Sequence, residues 1–228
     1  MPKVIFEFNK EKDIENLWEL CNFPNPWEDP DKLQLETSLR NRWQGKGFEE
    51  SKQDISNYLS QIHNSGYPEI FSETLTKSWE KINNIYFQRL ENLTQKSFSQ
   101  EKVDAYISTV GRSAYNLDEN CFTVSMHRQL LHALRTCGHE LLHMHIEKNF
   151  SDYIIKELKN YQKFDFLNES LTVLLNQEFK DLWFMEDKGY SSHKYLRNFI
   201  EQEWKKEKNN ENSLERLLDS CILKLKDI

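Results

Sequence analysis

Apolar residues recur three and four positions apart over most of this 228-residue chain, and that helical period confines any β structure to short stretches. Ile14, Leu17, Trp18 and Cys21 share one side of a helix predicted over residues 13–20. Residues 22–30 then carry three prolines, which forbid a regular element. Helices are predicted over 32–43, ended by Gly45 and Gly47, and over 49–63, ended by Asn64, Ser65 and Gly66. Leu75, Trp79, Ile82, Tyr86, Leu90 and Leu93 predict one long helix from Ser72 to about Gln95. Six glycines and five prolines are too few for a collagen-like, linker-rich or low-complexity chain. No catalytic pattern stands in the first hundred residues, and their aromatic stripes read as core.

The middle of the chain changes period. Val103, Ala105, Ile107 and Thr109 alternate with polar neighbours, which predicts a strand over 102–110; 121–126 reads as a second strand and 3–8 as a third. From about His127 the spacing of Leu130, Leu131, Leu134, Leu141, Leu142 and Ile146 predicts a long helix to about Lys148. Ser151 is placed to cap a further helix over 152–162, and others are predicted over 166–179, 193–206 and 213–226. The expected fold class is α+β and mostly helical, with a small sheet built on a hairpin before the long helix. Residues 1–98 would form a mainly helical region and 99–228 a catalytic region, or the two would make one continuous domain.

Composition narrows the function. Mean hydropathy is −0.79, yet six Trp, nine Tyr and fourteen Phe supply the surface for a real core. Thirty basic against 37 acidic residues give a net charge of −7, which argues against a nucleic-acid partner. The densest basic cluster, Lys205, Lys206 and Lys208, is interleaved with Glu203 and Glu207 and reads as a solvated helix end. No apolar run approaches the ~18 residues of a membrane span, and residues 1–20 lack a signal-peptide layout. The expectation is a soluble cytoplasmic protein with no membrane partner. Cys21, Cys121, Cys137 and Cys221 stand far apart, without a CxxC pair, and read as reduced thiols.

One pattern carries chemistry. His139-Glu140-Leu141-Leu142-His143 is an HExxH sequence inside the predicted long helix. There the two histidines are about 6 Å apart along the axis and about 40° apart around it, so both imidazoles can converge on one zinc ion. Glu140 lies about 60° from His143, on the flank, suited to meet a zinc-activated water and less suited to bind the metal. Leu141 and Leu142 point away and anchor the helix. Gly138 costs about 1 kcal/mol in a helix interior relative to Ala, which suggests that another element approaches closely there.

The pattern resembles the zincin class of zinc metallopeptidases. The metzincin continuation is excluded, because Ile146 and Asn149 stand where that branch has a glycine and a third histidine. The gluzincin branch takes a glutamate from a second helix downstream. Glu169, in Asn168-Glu169-Ser170, lies 26 residues after His143 and matches that place, with Asp165 as a competitor and an open two-histidine site as a further alternative. Val173 replaces the acidic residue that thermolysin-like members carry four positions later, so support for a ligand histidine must come from elsewhere. Helical geometry disfavours the other nearby ligands: Cys137 and His145 face the wrong way, and His132 and Glu147 lie too far along the axis.

The resemblance implies one zinc ion per chain held by His139, His143 and Glu169, with Glu140 as the general base in hydrolysis of a peptide or protein substrate. It also implies an edge strand for substrate, for which 102–110 or 121–126 would serve; a hairpin covering the core is the alternative. Tyr190 and His193, in the turn after Glu169, are the candidates to stabilise the oxyanion, unless Tyr190 only packs and His193 only starts a helix. Two other classes fit the same residues: a zincin-like protein that binds zinc or a partner without turnover, and a toxin-like or regulatory protease with a single substrate.

Overall fold

The computed structural model describes residues 1–23 and 37–226. The chain forms two compact units, each drawn from separate stretches of sequence. One comprises Lys3–Lys81 with Lys102–Cys137; the other comprises Met1–Pro2, Ile82–Glu101 and Gly138–Ile228. The structure is mostly helical with a small mixed sheet, in keeping with the expected α+β class.

The first unit holds the sheet. β1 (Lys3–Phe8), β2 (Lys102–Ser108), β3 (Tyr115–Asn116) and β4 (Cys121–Ser125) are arranged in the order β1-β2-β4-β3. β2 runs parallel to β1, from Lys3↔Lys102 to Phe8↔Ile107, and parallel to β4, from Asp104↔Cys121 to Ser108↔Ser125. The expected hairpin between β2 and β4 is therefore corrected. Residues 109–120 are long enough to carry the chain back to the start of a parallel neighbour, and β3 pairs antiparallel with β4 for only two residues on the way. β2 is also an interior strand, so it offers no free edge to a substrate, and β4 is flanked by β2 and β3.

Among the described residues this unit holds α1 (Lys10–Asn22), α2 (Thr37–Trp43), α3 (Phe48–His63) and α4 (Tyr67–Trp79). Asn9 caps α1, its side chain accepting from the N–H groups of Glu11 and Lys12. Ile14, Leu17, Leu20 and Cys21 pack with Trp43, Ile55, Leu59 and Val110. Asp13 is buried in the same unit, where Ser108 and Thr109 donate to it and His63 lies 2.8 Å away. The part of the helix predicted over 32–43 that precedes Thr37, and most of the proline-rich stretch, lie outside the described residues.

The second unit begins with α5 (Asn83–Thr94). The single helix predicted over 72–95 is thus two, α4 and α5, interrupted at residues 80–82. Asn83, the first residue of α5, donates its side-chain amide to the Pro2 carbonyl (3.0 Å) and to Asn84 Oδ1 (3.2 Å).

α6 (Leu130–Leu158) runs without a break past Ser151, which caps nothing. Leu142, Ile146, Phe150, Ile154 and Leu158 explain why: they form an unbroken buried stripe at four-residue spacing. The helix ends at Lys159 (φ 52°), and Asn160 caps α7 (Tyr161–Leu171), accepting from the Lys163 N–H at 3.0 Å. The helix predicted over 166–179 begins earlier, as α7, and is interrupted before the short α8 (Leu174–Glu178). Two 3-10 turns, Lys180–Leu182 and Ser191–His193, lead to α9 (Lys194–Glu207) and α10 (Ser213–Lys226). α9 packs on both α7 and α10.

Candidate metal centre

The third and fourth turns of α6 carry Gly138, His139, Glu140 and His143. A Cβ at Gly138 would lie 2.7 Å from Cη2 and 2.9 Å from Cζ3 of Trp183, and 3.1 Å from Cε2 of Tyr86. Glycine is what lets the indole come this close to the helix, and the Tyr86 hydroxyl donates to the Gly138 carbonyl at 2.7 Å. Leu141 and Leu142 are fully buried, which fixes the rotation of the helix and turns both histidines to the same side.

Glu169, in the last turn of α7, meets them. Nε2 of His139 and Nε2 of His143 are 2.9 Å apart, and Oε2 of Glu169 lies 3.8 Å from the first and 3.5 Å from the second. The point in their plane equidistant from those three atoms lies about 2.0 Å from each, which is the length of a zinc–nitrogen or zinc–oxygen bond. The mean separation, about 3.4 Å, is also the edge of a tetrahedron with bonds of about 2.1 Å. Among the described residues this is the one group of three His, Cys, Asp or Glu side chains whose ligand atoms converge to within 4.8 Å. Asp165 is outside it.

The support that Val173 does not supply comes from Asp187, which the sequence reading missed. Its Oδ2 lies 2.9 Å from His139 Nδ1, and its other oxygen accepts from the Gly189 N–H at 3.0 Å, from Arg197 at 3.1 Å and from Thr172 Oγ1 at 3.3 Å. A carboxylate on Nδ1 holds the proton there and leaves the Nε2 lone pair facing Glu169 and His143. Asp187 is itself fixed by Asn176, whose side chain accepts from its N–H at 2.6 Å and donates to its carbonyl at 2.8 Å. The only local signal in sequence is Asp187-Lys188-Gly189, a turn in which the aspartate side chain bonds the backbone two residues on. Asn168, next to Glu169, is buried at 2% exposure.

Charge complements the geometry. Burial alone would push the His143 imidazolium toward neutrality, but the Glu169 carboxylate and then Glu140 oppose it and hold its pKa above the ordinary histidine value. Burial would likewise raise Glu169, and the positive charge on His143, with His139 behind it, draws it below the usual carboxylate range. The protein alone thus holds an ion pair at the point of convergence. A divalent cation would replace the His143 proton there with its own charge.

Glu140 is buried, at 6% exposure, on the flank of the histidine face. Tyr190 precedes the second 3-10 turn, half-buried, with its ring centroid 5.5 Å from that of His193. His193 is fully buried against Phe166, with ring centroids 4.4 Å apart, and ends the turn that leads into α9. Burial lowers its pKa, with the nearby Glu169 charge opposing the shift. The nearby residues set aside on helical geometry have other contacts. His145 lies 2.8 Å from Thr94 Oγ1 and stacks on Phe98, its pKa pushed down to about 4 by burial. His132 lies between Arg128 and Arg135.

No protein-family model matches the chain, and no curated protein or solved structure matches it. Among the described residues no helix is long and apolar enough to cross a membrane.

Proposed function

We propose that the protein is a zinc-dependent hydrolase acting on the peptide bond of a peptide or protein substrate. The observation that carries this reading is the convergence of His139, His143 and Glu169 on one point, with Glu140 beside the ligands and not among them. His139 and His143 would hold the metal through Nε2 and Glu169 through Oε2, with Asp187 retaining the Nδ1 proton of His139. Zinc held by three protein ligands supplies Lewis acidity, polarising a carbonyl and lowering the pKa of water. Glu140 would take the proton from the attacking water and return it to the leaving amine, the work of a carboxylate near its target but outside the ligand set. Metal analysis tests the base of this reading. The purified protein should carry close to one zinc per chain, and His139→Ala and His143→Ala should each lose it.

One observation favours a second reading, zinc binding without turnover. Glu140 is 6% exposed and His143 2%, so substrate access needs more room than these side chains now have. Hydrolysis measured on protein with confirmed zinc separates the two.

A further inference from the structure

We propose that Arg197 is a positioning residue for the metal centre, acting through Asp187 to hold His139 and Glu169 in the geometry that binds zinc. The inference rests on the metal reading above and goes beyond its ligands. Arg197 lies on α9, 5% exposed, and among the described residues its hydrogen bonds go to Asp187, Thr172 and the Glu169 carbonyl, not to a metal-ligating atom. One guanidinium nitrogen donates to Asp187 Oδ1 at 3.1 Å and to the Asp187 carbonyl at 2.6 Å. The other donates to Thr172 Oγ1 at 2.5 Å and reaches the Glu169 carbonyl at 3.5 Å. The same planar fork therefore grips the loop that orients one histidine and the end of the helix that carries the glutamate.

The division of labour on Asp187 makes this specific. Arg197, Thr172 and Gly189 occupy Oδ1, so the remaining oxygen, Oδ2, is the one presented to His139. Removing the guanidinium leaves Oδ1 with only Thr172 and the Gly189 N–H and takes one hold from the Asp187 carbonyl, so the carboxylate that fixes the His139 tautomer is presented less firmly. A cation at the C-terminal end of α7 also meets carbonyls that lack an intrahelical partner. The backbone is shaped for the arrangement. Gly189 adopts φ +58°, and a Cβ there would come within 2.7 Å of Cζ, Nε and Nη1 of Arg197. Lysine could keep the charge but could not span both grips, because it has no rigid fork.

The test measures zinc affinity by competition with a chromophoric chelator, alongside apoprotein stability by circular dichroism. Arg197→Met and Asp187→Asn should each weaken zinc binding about 10- to 100-fold, the usual effect of removing a partner behind a ligand histidine. Because Arg197 acts through Asp187, the double variant should bind zinc no more weakly than Asp187→Asn alone. Arg197→Lys should fold, since it retains the charge opposite Asp187, and should still lose about tenfold in affinity. If Arg197→Met does not fold, the lysine variant decides. Unchanged zinc affinity in a folded Arg197 variant, or losses that multiply in the double variant, would overturn the proposal. A wild-type protein that binds no zinc would overturn the metal reading itself, a different result from either.

Discussion

Replacing Gly138 with alanine should destabilise the protein, although the change improves intrinsic helix propensity. On an open helix the substitution would stabilise by about 1 kcal/mol. Here the new methyl would stand 2.7 and 2.9 Å from two ring carbons of Trp183, where carbon–carbon contacts settle at about 3.5–4.0 Å. Trp183 is fully buried and stacked on Phe179, with ring centroids 6.3 Å apart, so the indole has little freedom to retreat. Overpacking of this kind costs about 1–3 kcal/mol, and straining the Tyr86 hydrogen bond to the Gly138 carbonyl adds about 0.5–1.5. The net expectation is a loss of about 1–3 kcal/mol. The assay is urea unfolding followed by tryptophan fluorescence, with Trp183→Phe as a companion that makes room for the methyl. The double variant should recover part of what Gly138→Ala loses. A Gly138→Ala protein more stable than the parent would refute the reasoning, and would mean that Trp183 does not rest on the helix.

Two further expectations concern the ligand set and the thiols. Glu169→Ala should abolish tight zinc binding while Asp165→Asn leaves it unchanged, as read by metal analysis after dialysis; the reverse result would move the third ligand to Asp165. Burial raises the thiol of Cys21 to about 11 and those of Cys121 and Cys221 to about 12, against an ordinary value of 9.0. The unfolded chain therefore gives up these protons first as pH rises, so their contribution is intact below about pH 9 and stability falls from there toward pH 12. Urea midpoints at pH 8 and 10 check the sign, and a midpoint that rises with pH would contradict it.

What could be read in the sequence was local. Four residues between the motif histidines suffice to place them on one helix face, and the alternation of Val103, Ala105 and Ile107 located β2, all three being fully buried. Strand direction was harder to see, because it depends on pairing with β1 almost a hundred residues away. The length of the 109–120 connection was the available clue, being far longer than a hairpin turn. The Ser151 signal misled because a cap is worth about 1 kcal/mol, less than burying the next apolar residues of the stripe, Ile154 and Leu158, which continue it through that point. Asp187 and Arg197 carried almost no signal. One lies in a turn without periodicity and the other on a polar helix, and only the tertiary fold brings them to His139 and Glu169.

The most direct test of a zinc hydrolase is the cleavage of a proteome-derived peptide mixture by the parent and by Glu140→Gln, at equal and confirmed zinc content, with new peptide ends sequenced. An amide cannot accept the proton, whereas the metal does not depend on Glu140 for coordination. The parent should generate new ends, and Glu140→Gln should hold the same zinc while cleaving about 10²- to 10⁴-fold more slowly. Equal cleavage by the two proteins, or loss of zinc from Glu140→Gln, would contradict the role assigned to Glu140. No cleavage by the zinc-loaded parent would leave a zinc-binding protein in place of the proposed hydrolase.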